Sequence, residues 1–428
     1  MLANKMRTLI LGVAAALALS ACSTPCDSPG GLCAPISSVA SAPAPERTRL
    51  PDRPPEPPVE EAQVYAVAMP PGITGDEAAA PVPGQPVRIG LMLPLRSETL
   101  GQAADALRAG FMAAWERDKT GFEVSIIETG DAPDEVLPTY QSALGQNDIV
   151  VGPLARSAVT ALAGSTLVTK PTIALNRPEG REDTTLPPNM LAIGLSIEDE
   201  ARQVAEWAAR DYPGGEALIL SGGSTWQRRI ASAFAAHWQQ LGHTAKTLEL
   251  ATNNGYLSDA ELVALRARLG SGPVELLFAA LDADQARQLR TALNAPPLGD
   301  IPLYGTSSLN PGRANLLEGG ELDGVRLLDL PWQVQRDSSA VMSYPRPEPR
   351  DEARLSADME RLYALGIDAF RVARELALHP GKPVTLDGVT GQLNIEFGNG
   401  PAKFRRVEPA AVYRNGVAVP LPPAGAQQ

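Results

Sequence analysis

Side chains that commonly carry acid–base or metal chemistry are scarce in this sequence. It contains three histidines, and His237 and His243 lie around the end of one predicted helix, where their spacing does not place them on a shared face. His379 follows another predicted helix. The pattern predicts partly exposed side chains at helix ends, and we expect neither a metal site nor a cofactor.

Small hydroxyl residues after predicted strands are the other candidates for chemistry. Residues 221–224 and 306–308 form two such loops, but neither is a nucleophile elbow and the sequence contains no P-loop. The first loop could bind an anion at a helix N-terminus, although a tight strand-to-helix turn is the more common role. Asp282 and Asp284 are explained by helix capping. We therefore expect that the protein is not an enzyme.

Cys22 is the residue whose type and position indicate a covalent modification. Lys5 and Arg7 precede an apolar run at 9–21, which is too short to span a bilayer. The run ends in LSAC (19–22), which resembles the lipobox of bacterial lipoproteins. The pattern predicts a signal peptide over 1–21, cleavage before the cysteine, and fatty acyl chains such as palmitate that anchor Cys22 to a membrane.

The residue after the cysteine bears on the choice of membrane. Ser23 stands where an Asp favours inner-membrane retention in lipoproteins of this kind, so it favours the outer membrane with the domain facing the periplasm. A plain secretory signal with a chance cysteine is the alternative. Cys26 and Cys33 lie close together in a polar stretch, and they either form a disulfide in an oxidising periplasm or remain free thiols.

A proline-rich segment separates the cysteines from the rest of the chain. Residues 23–86 contain fifteen prolines and few bulky apolar side chains. Such a segment buries too little apolar surface to offset its ordering entropy, and polyproline stretches extend by about 3.1 Å per residue. We expect 22–86 to be a disordered tether rather than a domain.

Overall charge limits the partners of the protein. The net charge is −12, whereas nucleic acids and anionic lipid headgroups bind basic surfaces. The sequence therefore argues against a nucleic-acid partner. We expect the protein to contact the membrane only through the lipid on Cys22.

Strands and helices alternate through the remainder of the chain. Apolar runs buried on both faces and separated by helical patterns predict two successive βαβ sets in a mostly parallel arrangement. Ser196 and the acids at 198–200 predict a helix start between the sets, because Ser caps helices and acids suit their positive ends. Ser258 with Glu261 predicts a capping box.

The C-terminal third returns to both sets. A long helix is predicted over 355–378, Gly-punctuated strands over 384–397, and a hairpin with an Asn415-Gly416 turn over 407–419. The fold class is therefore α/β, with two doubly wound lobes and a hinge of several crossovers. We expect lobe 1 to comprise 87–196 and about 312–380, lobe 2 to comprise 197–311 and about 381–421, and 422–428 to form a tail.

The order of these elements resembles that of type I periplasmic binding proteins. More specifically, it resembles the penicillin-binding protein activators of the LppC/LpoA type. The resemblance covers nearly all of 87–421 and rests on VRIGLMLPL (87–95), DIVVGPLARSAVTAL (148–162), TIALNRPEG (172–180), IGLSIEDEARQVA (193–205), LYALGIDAFRVAREL (362–376), LDGVTGQLNI (386–395) and FRRVEPAAVYRNGVAVPL (404–421).

This resemblance implies a non-catalytic activator of a class A, bifunctional penicillin-binding protein, acting in peptidoglycan biosynthesis. The best-known members carry a large N-terminal domain of helical repeats, for which 23–86 is too short and too rich in proline. We therefore expect a short form, which consists of the tether and the C-terminal domain.

A receptor for an amino acid or peptide-like ligand is the alternative function. In α/β sheets the ligand crevice lies beyond the carboxyl ends of the strands. Apolar residues at 152–154, and an Arg96 without an acidic partner close in sequence, argue mildly against an amino-acid ligand. The candidate cleft residues are Pro94, Arg96, Ser97, Gly152, Pro153, Leu154, Asn176, Arg177, Ser221 and Gly222.

Overall fold

The structure, a computed structural model, describes residues 84–180, 186–272, 274–312, 320–347 and 356–422. The expected signal peptide and lipidated Cys22 lie outside the described residues. The same is true of Cys26, Cys33 and almost all of the tether. Those expectations therefore remain predictions from the sequence.

A parallel five-stranded sheet forms the centre of lobe 1, with the strand order β2-β1-β3-β4-β5. The predicted strand at Val87–Leu93 contributes side chains to both faces of the sheet. Ile89 and Leu91 pack into the core on one face, and Met92 packs into the core on the other. The elements are β1 (Val87–Leu93), α1 (Gly101–Asp118), β2 (Phe122–Glu128), α2 (Pro133–Gln146), β3 (Ile149–Val151), α3 (Arg156–Ala163), β4 (Thr172–Ala174) and β5 (Met190–Ala192).

Lobe 2 begins with a capped helix, as predicted. The Ser196 hydroxyl accepts a hydrogen bond from Asp199 N–H at 3.1 Å. Ser258 precedes a helix without a side-chain cap, so the predicted capping box is wrong, whereas Asp282 caps the next helix as expected. The elements are α4 (Ile197–Asp211), β6 (Glu216–Ser221), α5 (Thr225–Gln240), β7 (Thr244–Glu249), β8 (Thr252–Asn253), β9 (Tyr256–Leu257), α6 (Asp259–Leu269), β10 (Leu276–Ala280), α7 (Ala283–Leu293), β11 (Leu303–Gly305) and β12 (Arg326–Leu328).

The C-terminal third contributes to both lobes. Asn415 and Gly416 have positive φ angles of 53° and 74° and form the predicted hairpin turn between the last two strands. The elements are α8 (Pro331–Val334), α9 (Ser339–Met342), α10 (Ala357–Leu378), β13 (Val384–Asp387), β14 (Gln392–Glu396), β15 (Lys403–Val407), β16 (Ala410–Arg414) and β17 (Val417–Pro420).

Helix α10 packs closely along α1. A Cβ atom on Gly366 would lie 2.0 Å from the Leu107 carbonyl oxygen, and one on Gly110 would lie 1.9 Å from that of Tyr363. Glycine at both positions therefore allows the two backbones to touch, and this contact fixes α10, and with it Arg361, against lobe 1.

Two segments join a different lobe from the one expected. Strand β12 lies between β11 and β16 in the seven-stranded sheet of lobe 2, in the order β17-β16-β12-β11-β10-β6-β7, although we assigned about 312–380 to lobe 1. Conversely, the β13-β14-β15 sheet packs Leu393 and Ile395 into the core of lobe 1, although we assigned about 381–421 to lobe 2. Apolar alternation identifies a strand but does not show which core receives its side chains.

Within the described residues, the chain passes between the lobes three times, near 193–196, 329–331 and 407–410. Two doubly wound lobes joined by a hinge of several crossovers are thus confirmed. The crossings bring charged residues that are distant in sequence to one place.

Candidate functional site

A cavity of about 1410 Å³ lies between the lobes. Lobe 1 lines it with the start of α3, the loop after β4, the start of α10 and β15. Lobe 2 lines it with the start of α4 and with residues along the length of α5. Pockets for drug-sized ligands usually measure about 300–1,000 Å³, so this space is large enough for more than a single amino acid.

The lining of this cavity is basic, although the protein is acidic. Its acidic side chains among the described residues are Glu179, Glu198, Glu200 and Asp358. Its cationic side chains outnumber them seven to four, and these are Arg156, Arg177, Arg202, Arg228, Arg229, Arg361 and Lys403. Among the described residues, the lining of the cleft thus has more cationic than acidic side chains, whereas the whole chain carries a net charge of −12.

Glu198, in the first turn of α4, is shared by arginines from both lobes. Arg229 of α5 pairs with Glu198 at 2.8 Å between Nε and Oε1, whereas Nη1 of Arg156 from lobe 1 lies 4.0 Å from the same oxygen. Arg156 also reaches the Pro178 carbonyl at 3.4 Å, and its buried Nε has no hydrogen-bond partner among the described residues. Arg156 is therefore incompletely neutralised.

Asp199, the residue after Glu198, is likewise shared by arginines from both lobes. Arg177 of lobe 1 approaches Asp199 with 2.5 Å between Nη2 and Oδ2, and Arg202 of α4 pairs with the same carboxylate. We refer to these four arginines, with their two shared acids, as the cleft arginine cluster: Arg156, Arg177, Arg202 and Arg229 with Glu198 and Asp199. Each acid joins one arginine of lobe 1 to one of lobe 2.

Two of the candidate residues read from the sequence line this cavity. Asn176 donates to the Leu154 carbonyl at 3.2 Å and accepts from Arg177 N–H at 2.9 Å, so it holds the loop that presents Arg177. Their position at the carboxyl end of β4 agrees with the crevice rule for parallel sheets.

The other candidates lie elsewhere among the described residues. Arg96 does have an acidic partner, because it forms an ion pair with Glu135 of α2. The Ser97 hydroxyl donates to Asp131 at 2.6 Å, and the Ser221 hydroxyl donates to the Gly222 carbonyl at 2.8 Å. The candidates that do not line the cavity are Pro94, Arg96, Ser97, Gly152, Pro153, Leu154, Ser221 and Gly222.

Arg361 of α10 forms a buried contact with lobe 2. It makes a two-point ion pair with Asp329 at 3.1 and 2.8 Å, and the side chain of Asp329 is fully buried. Arg361 also donates to the carbonyl oxygens of Ser307 and Asn310 at 3.0 and 2.8 Å. Although burial lowers the pKa of Arg361, the Asp329 carboxylate more than offsets this and raises the pKa.

Arg406 of β15 joins the first crossing to the third. It donates to the carbonyl oxygens of Ile193 and Gly194 at 2.7 and 3.0 Å, and to the Thr390 hydroxyl at 3.1 Å. That hydroxyl donates onward to Asp368 at 2.7 Å. Burial lowers the pKa of Arg406.

Two buried acids complete this group. Burial raises the pKa of Glu200 to about 7, although Ser307 N–H donates to its carboxylate at 2.9 Å. Burial also raises the pKa of Glu408 well above its usual range, and its Oε2 atom has no hydrogen-bond partner among the described residues. We refer to the whole group as the hinge network, and its members are Glu200, Asp329, Arg361, Asp368, Thr390, Arg406 and Glu408.

The histidines show no arrangement for chemistry within the described ranges. His237 pairs with Glu206 at 3.2 Å, His379 pairs with Glu375 at 3.0 Å, and His243 stacks on Trp238. Across those same residues, no cluster of three or more His, Cys, Asp or Glu side chains is placed to hold a metal ion. Nor does that part of the chain include a helix long and apolar enough to cross a membrane.

Comparison with known proteins identifies the family. The sequence profile of the LppC lipoprotein family matches residues 83–399, which is most of the chain. The chain belongs to the LppC lipoprotein family. The penicillin-binding protein activator LpoA of Photobacterium profundum is 26% identical over 343 residues, which cover 72% of this chain and 53% of the relative. The chain thus spans about half the length of the curated relatives it matches.

Solved structures show the same fold. The C-domain of LpoA from Haemophilus influenzae, described as a regulator of PBP1A, covers 78% of this LppC chain and is itself covered completely, with a TM-score of 0.61 and 20% identity. A structure from Chromobacterium violaceum, named as a candidate branched-chain amino acid ABC transporter, is 36% identical. The structural match includes 76% of this chain and 99% of that protein, with a TM-score of 0.61. Together these matches confirm the type I periplasmic-binding-protein architecture.

Sequence reasoning missed most of the charged residues of this site. Glu198 and Asp199 were interpreted only as favourable charges at a helix start, and Arg156, Arg361 and Arg406 were not singled out. The three consecutive acidic residues at 198–200 were the feature of the sequence that could have indicated this site. Their arginine partners lie far along the chain, so no local pattern joins them.

Proposed function

We propose that this LppC protein is a lipid-anchored, non-catalytic regulator that binds a class A penicillin-binding protein and raises its synthesis of peptidoglycan. The observation that carries the proposal is the family match over 83–399, together with curated relatives named as penicillin-binding protein activators. The two-lobed fold with a hinge gives a means of action, because docking can shift the conformational balance of a partner.

Location follows from the N-terminal sequence. Cys22 would carry the acyl chains, Ser23 favours the outer membrane, and the proline-rich segment would hold the lobes away from that membrane and toward the peptidoglycan. Replacing Cys22 with Ala should release the protein from the membrane fraction, whereas Ser23→Ala should leave it there. An unchanged distribution of Cys22→Ala would contradict the anchor.

The central test is reconstitution with the partner. The full lipidated chain, in detergent, is mixed with a purified class A penicillin-binding protein, and glycan-chain synthesis from lipid-linked precursor is followed with and without it. We expect stoichiometric co-purification and a several-fold higher rate. Absence of both binding and acceleration would contradict the activator role.

A small-molecule receptor is the second candidate function, and two observations favour it. The cleft is large and charged, and the structure from Chromobacterium violaceum is named as a candidate transporter of branched-chain amino acids. Calorimetry with L-leucine, L-isoleucine and L-valine separates the two functions. Tight stoichiometric binding of one of them, without any effect on synthesis, would favour the receptor.

A further inference from the structure

Asparagine followed by glycine is the dipeptide in which a protein backbone most readily attacks its own side chain. Glycine has no Cβ to hinder the approach, so its nitrogen can reach the side-chain carbonyl carbon of the asparagine and displace ammonia. The sequence contains three such dipeptides, at 254–255, 399–400 and 415–416. All three asparagines are exposed, but their contacts differ.

Two of the dipeptides occupy turns of the same kind in lobe 2. Asn254 and Gly255 have φ angles of 52° and 87°, and Asn415 and Gly416 have φ angles of 53° and 74°. Each dipeptide forms a two-residue hairpin turn, the first between β8 and β9 and the second between β16 and β17. Since dipeptide and turn are the same, the contacts around each turn decide which one reacts.

Asp323 restrains the turn at Asn415. Its carboxylate accepts hydrogen bonds from the backbone N–H groups of Asn415 and Gly416 at 3.0 and 2.9 Å. The nitrogen that would attack therefore donates to a negative charge, which opposes the loss of its proton. The third dipeptide is restrained through its side chain, because Nδ2 of Asn399 donates to the Gly381 carbonyl at 2.6 Å.

Neither kind of restraint is present at Asn254. Among the described residues, no hydrogen bond engages its side chain or the Gly255 N–H. Its hairpin has two residues in each strand, and so short a pair opens at little cost. Leu257 is the one buried residue of that hairpin, whereas Ala411 and Tyr413 anchor β16 in the core of lobe 2.

From this contrast we propose that Asn254 is the site at which the folded protein deamidates. The Gly255 nitrogen gives its proton to solvent and bonds to Cγ of Asn254, and the side-chain nitrogen leaves as ammonia. Water then opens the succinimide ring, giving aspartate if it adds at Cγ and isoaspartate if it adds at the main-chain carbonyl carbon. The net change is the uptake of water and the release of ammonia.

Either product places a new negative charge on the hairpin. Isoaspartate also adds a carbon atom to the backbone of the turn, beside the exposed Tyr256. The reaction needs neither enzyme nor cofactor, and it does not depend on the proposed activation of a synthase.

Incubation of the full chain in detergent, in mildly alkaline buffer, tests the site. Peptide mapping by mass spectrometry follows aspartate and isoaspartate at the three positions over time. We expect both products to form at Asn254 several-fold faster than at Asn399 or Asn415, because only the Asn254 turn lacks a restraint on the reacting groups. In urea the three rates should converge, since the unfolded chain retains only the shared dipeptide.

Three results would overturn the proposal. They are equal rates in the folded protein, a reaction at Asn399 or Asn415 that is as fast as or faster than that at Asn254, and the same ranking of rates in urea. Absence of product at Asn254 would overturn it as well.

Replacing Asp323 with Ala tests the restraint on the matched turn. The variant frees the Gly416 N–H, so deamidation of Asn415 should rise several-fold. The rate at Asn254 should stay unchanged, and this serves as the control because unfolding of lobe 2 would accelerate both positions. An unchanged rate at Asn415 would contradict the role of the carboxylate.

Replacing Gln288 with Ala tests the opening of the reactive hairpin. Oε1 of Gln288 accepts from Leu257 N–H at 2.8 Å, and Nε2 of Gln285 donates to the Gly255 carbonyl at 2.9 Å, so α7 holds the hairpin without engaging the reacting atoms. Loss of the first contact should accelerate the reaction at Asn254 and leave Asn415 unchanged. A rate at Asn254 that does not rise would overturn the role of hairpin opening.

Discussion

The hinge network and the cleft arginine cluster are both built from arginines and carboxylates, and both join the two lobes. They differ in their exposure to water. The side chains of Arg361 and Asp329 are 8% and 0% exposed, whereas those of Arg156 and Arg177 are 31% and 37% exposed. Breaking a buried pair leaves an uncompensated charge, while a hydrated pair exchanges partners at little cost. The same chemistry therefore fixes the lobes at the hinge, whereas the ion pairs of the cleft can exchange partners.

The largest effect should come from breaking the buried ion pair. Arg361→Met leaves Asp329 charged and without its main partner, and we expect unfolding in urea to become easier by about 3–5 kcal/mol. Arg228→Met, which removes an exposed pair with Glu249, serves as the control and should not shift the urea midpoint measurably. A similar midpoint shift for both variants would remove the distinction between the hinge and the cleft.

The second effect depends on pH. Burial raises the pKa of Glu200 to about 7 from 4.5 in the unfolded chain, so the folded state holds an extra proton between those values. Its contribution to stability is thus complete below about pH 4.5 and is lost as the pH rises through about 7, by up to about 3 kcal/mol.

Urea midpoints at pH 5 and pH 8 measure this loss. Glu200→Gln keeps an oxygen to accept from Ser307 N–H and removes the titration, so its stability should fall less over that interval than that of the unaltered protein. Glu408 should contribute to the slope that remains, because burial raises its pKa as well. An identical slope in Glu200→Gln would show that Glu200 does not titrate in this window.

The cleft should give a smaller effect on stability. Arg156→Gln with Arg177→Gln removes two half-exposed pairs, and we expect the free energy of unfolding to change by less than about 1 kcal/mol. The measurement is the urea midpoint, compared with that of Arg361→Met under the same conditions. A loss comparable to that of Arg361→Met would mean that the cleft arginine cluster stabilises the fold as strongly as the hinge network does.

The smallest effect concerns salt. Since the chain carries a net charge of −12, association with a basic surface of the synthase should weaken a few-fold between about 0.05 M and about 0.5 M NaCl. The stability difference caused by Arg361→Met should stay nearly constant over that range, because a buried pair is screened little. Association that does not change with salt would argue against a charged docking surface.

The sequence by itself determined the elements and the class of fold. The run at Val87–Leu93, the capped start of α4 and the Asn415-Gly416 hairpin were predicted because periodicity, capping and turn preference are local properties. The order of elements also led to the correct family.

Only the tertiary structure decided which lobe each late segment joins and which charges meet. Strand β12 joins lobe 2 and strands β13 to β15 join lobe 1, which is the reverse of the prediction. An apolar pattern does not specify which core receives the side chains of a strand. Arg406 bonds to the carbonyl oxygen of Ile193 across 213 positions, and Arg361 bonds to Asp329 across 32. Such pairs form because the chain crosses between the lobes three times, and that geometry appears only when both cores are complete.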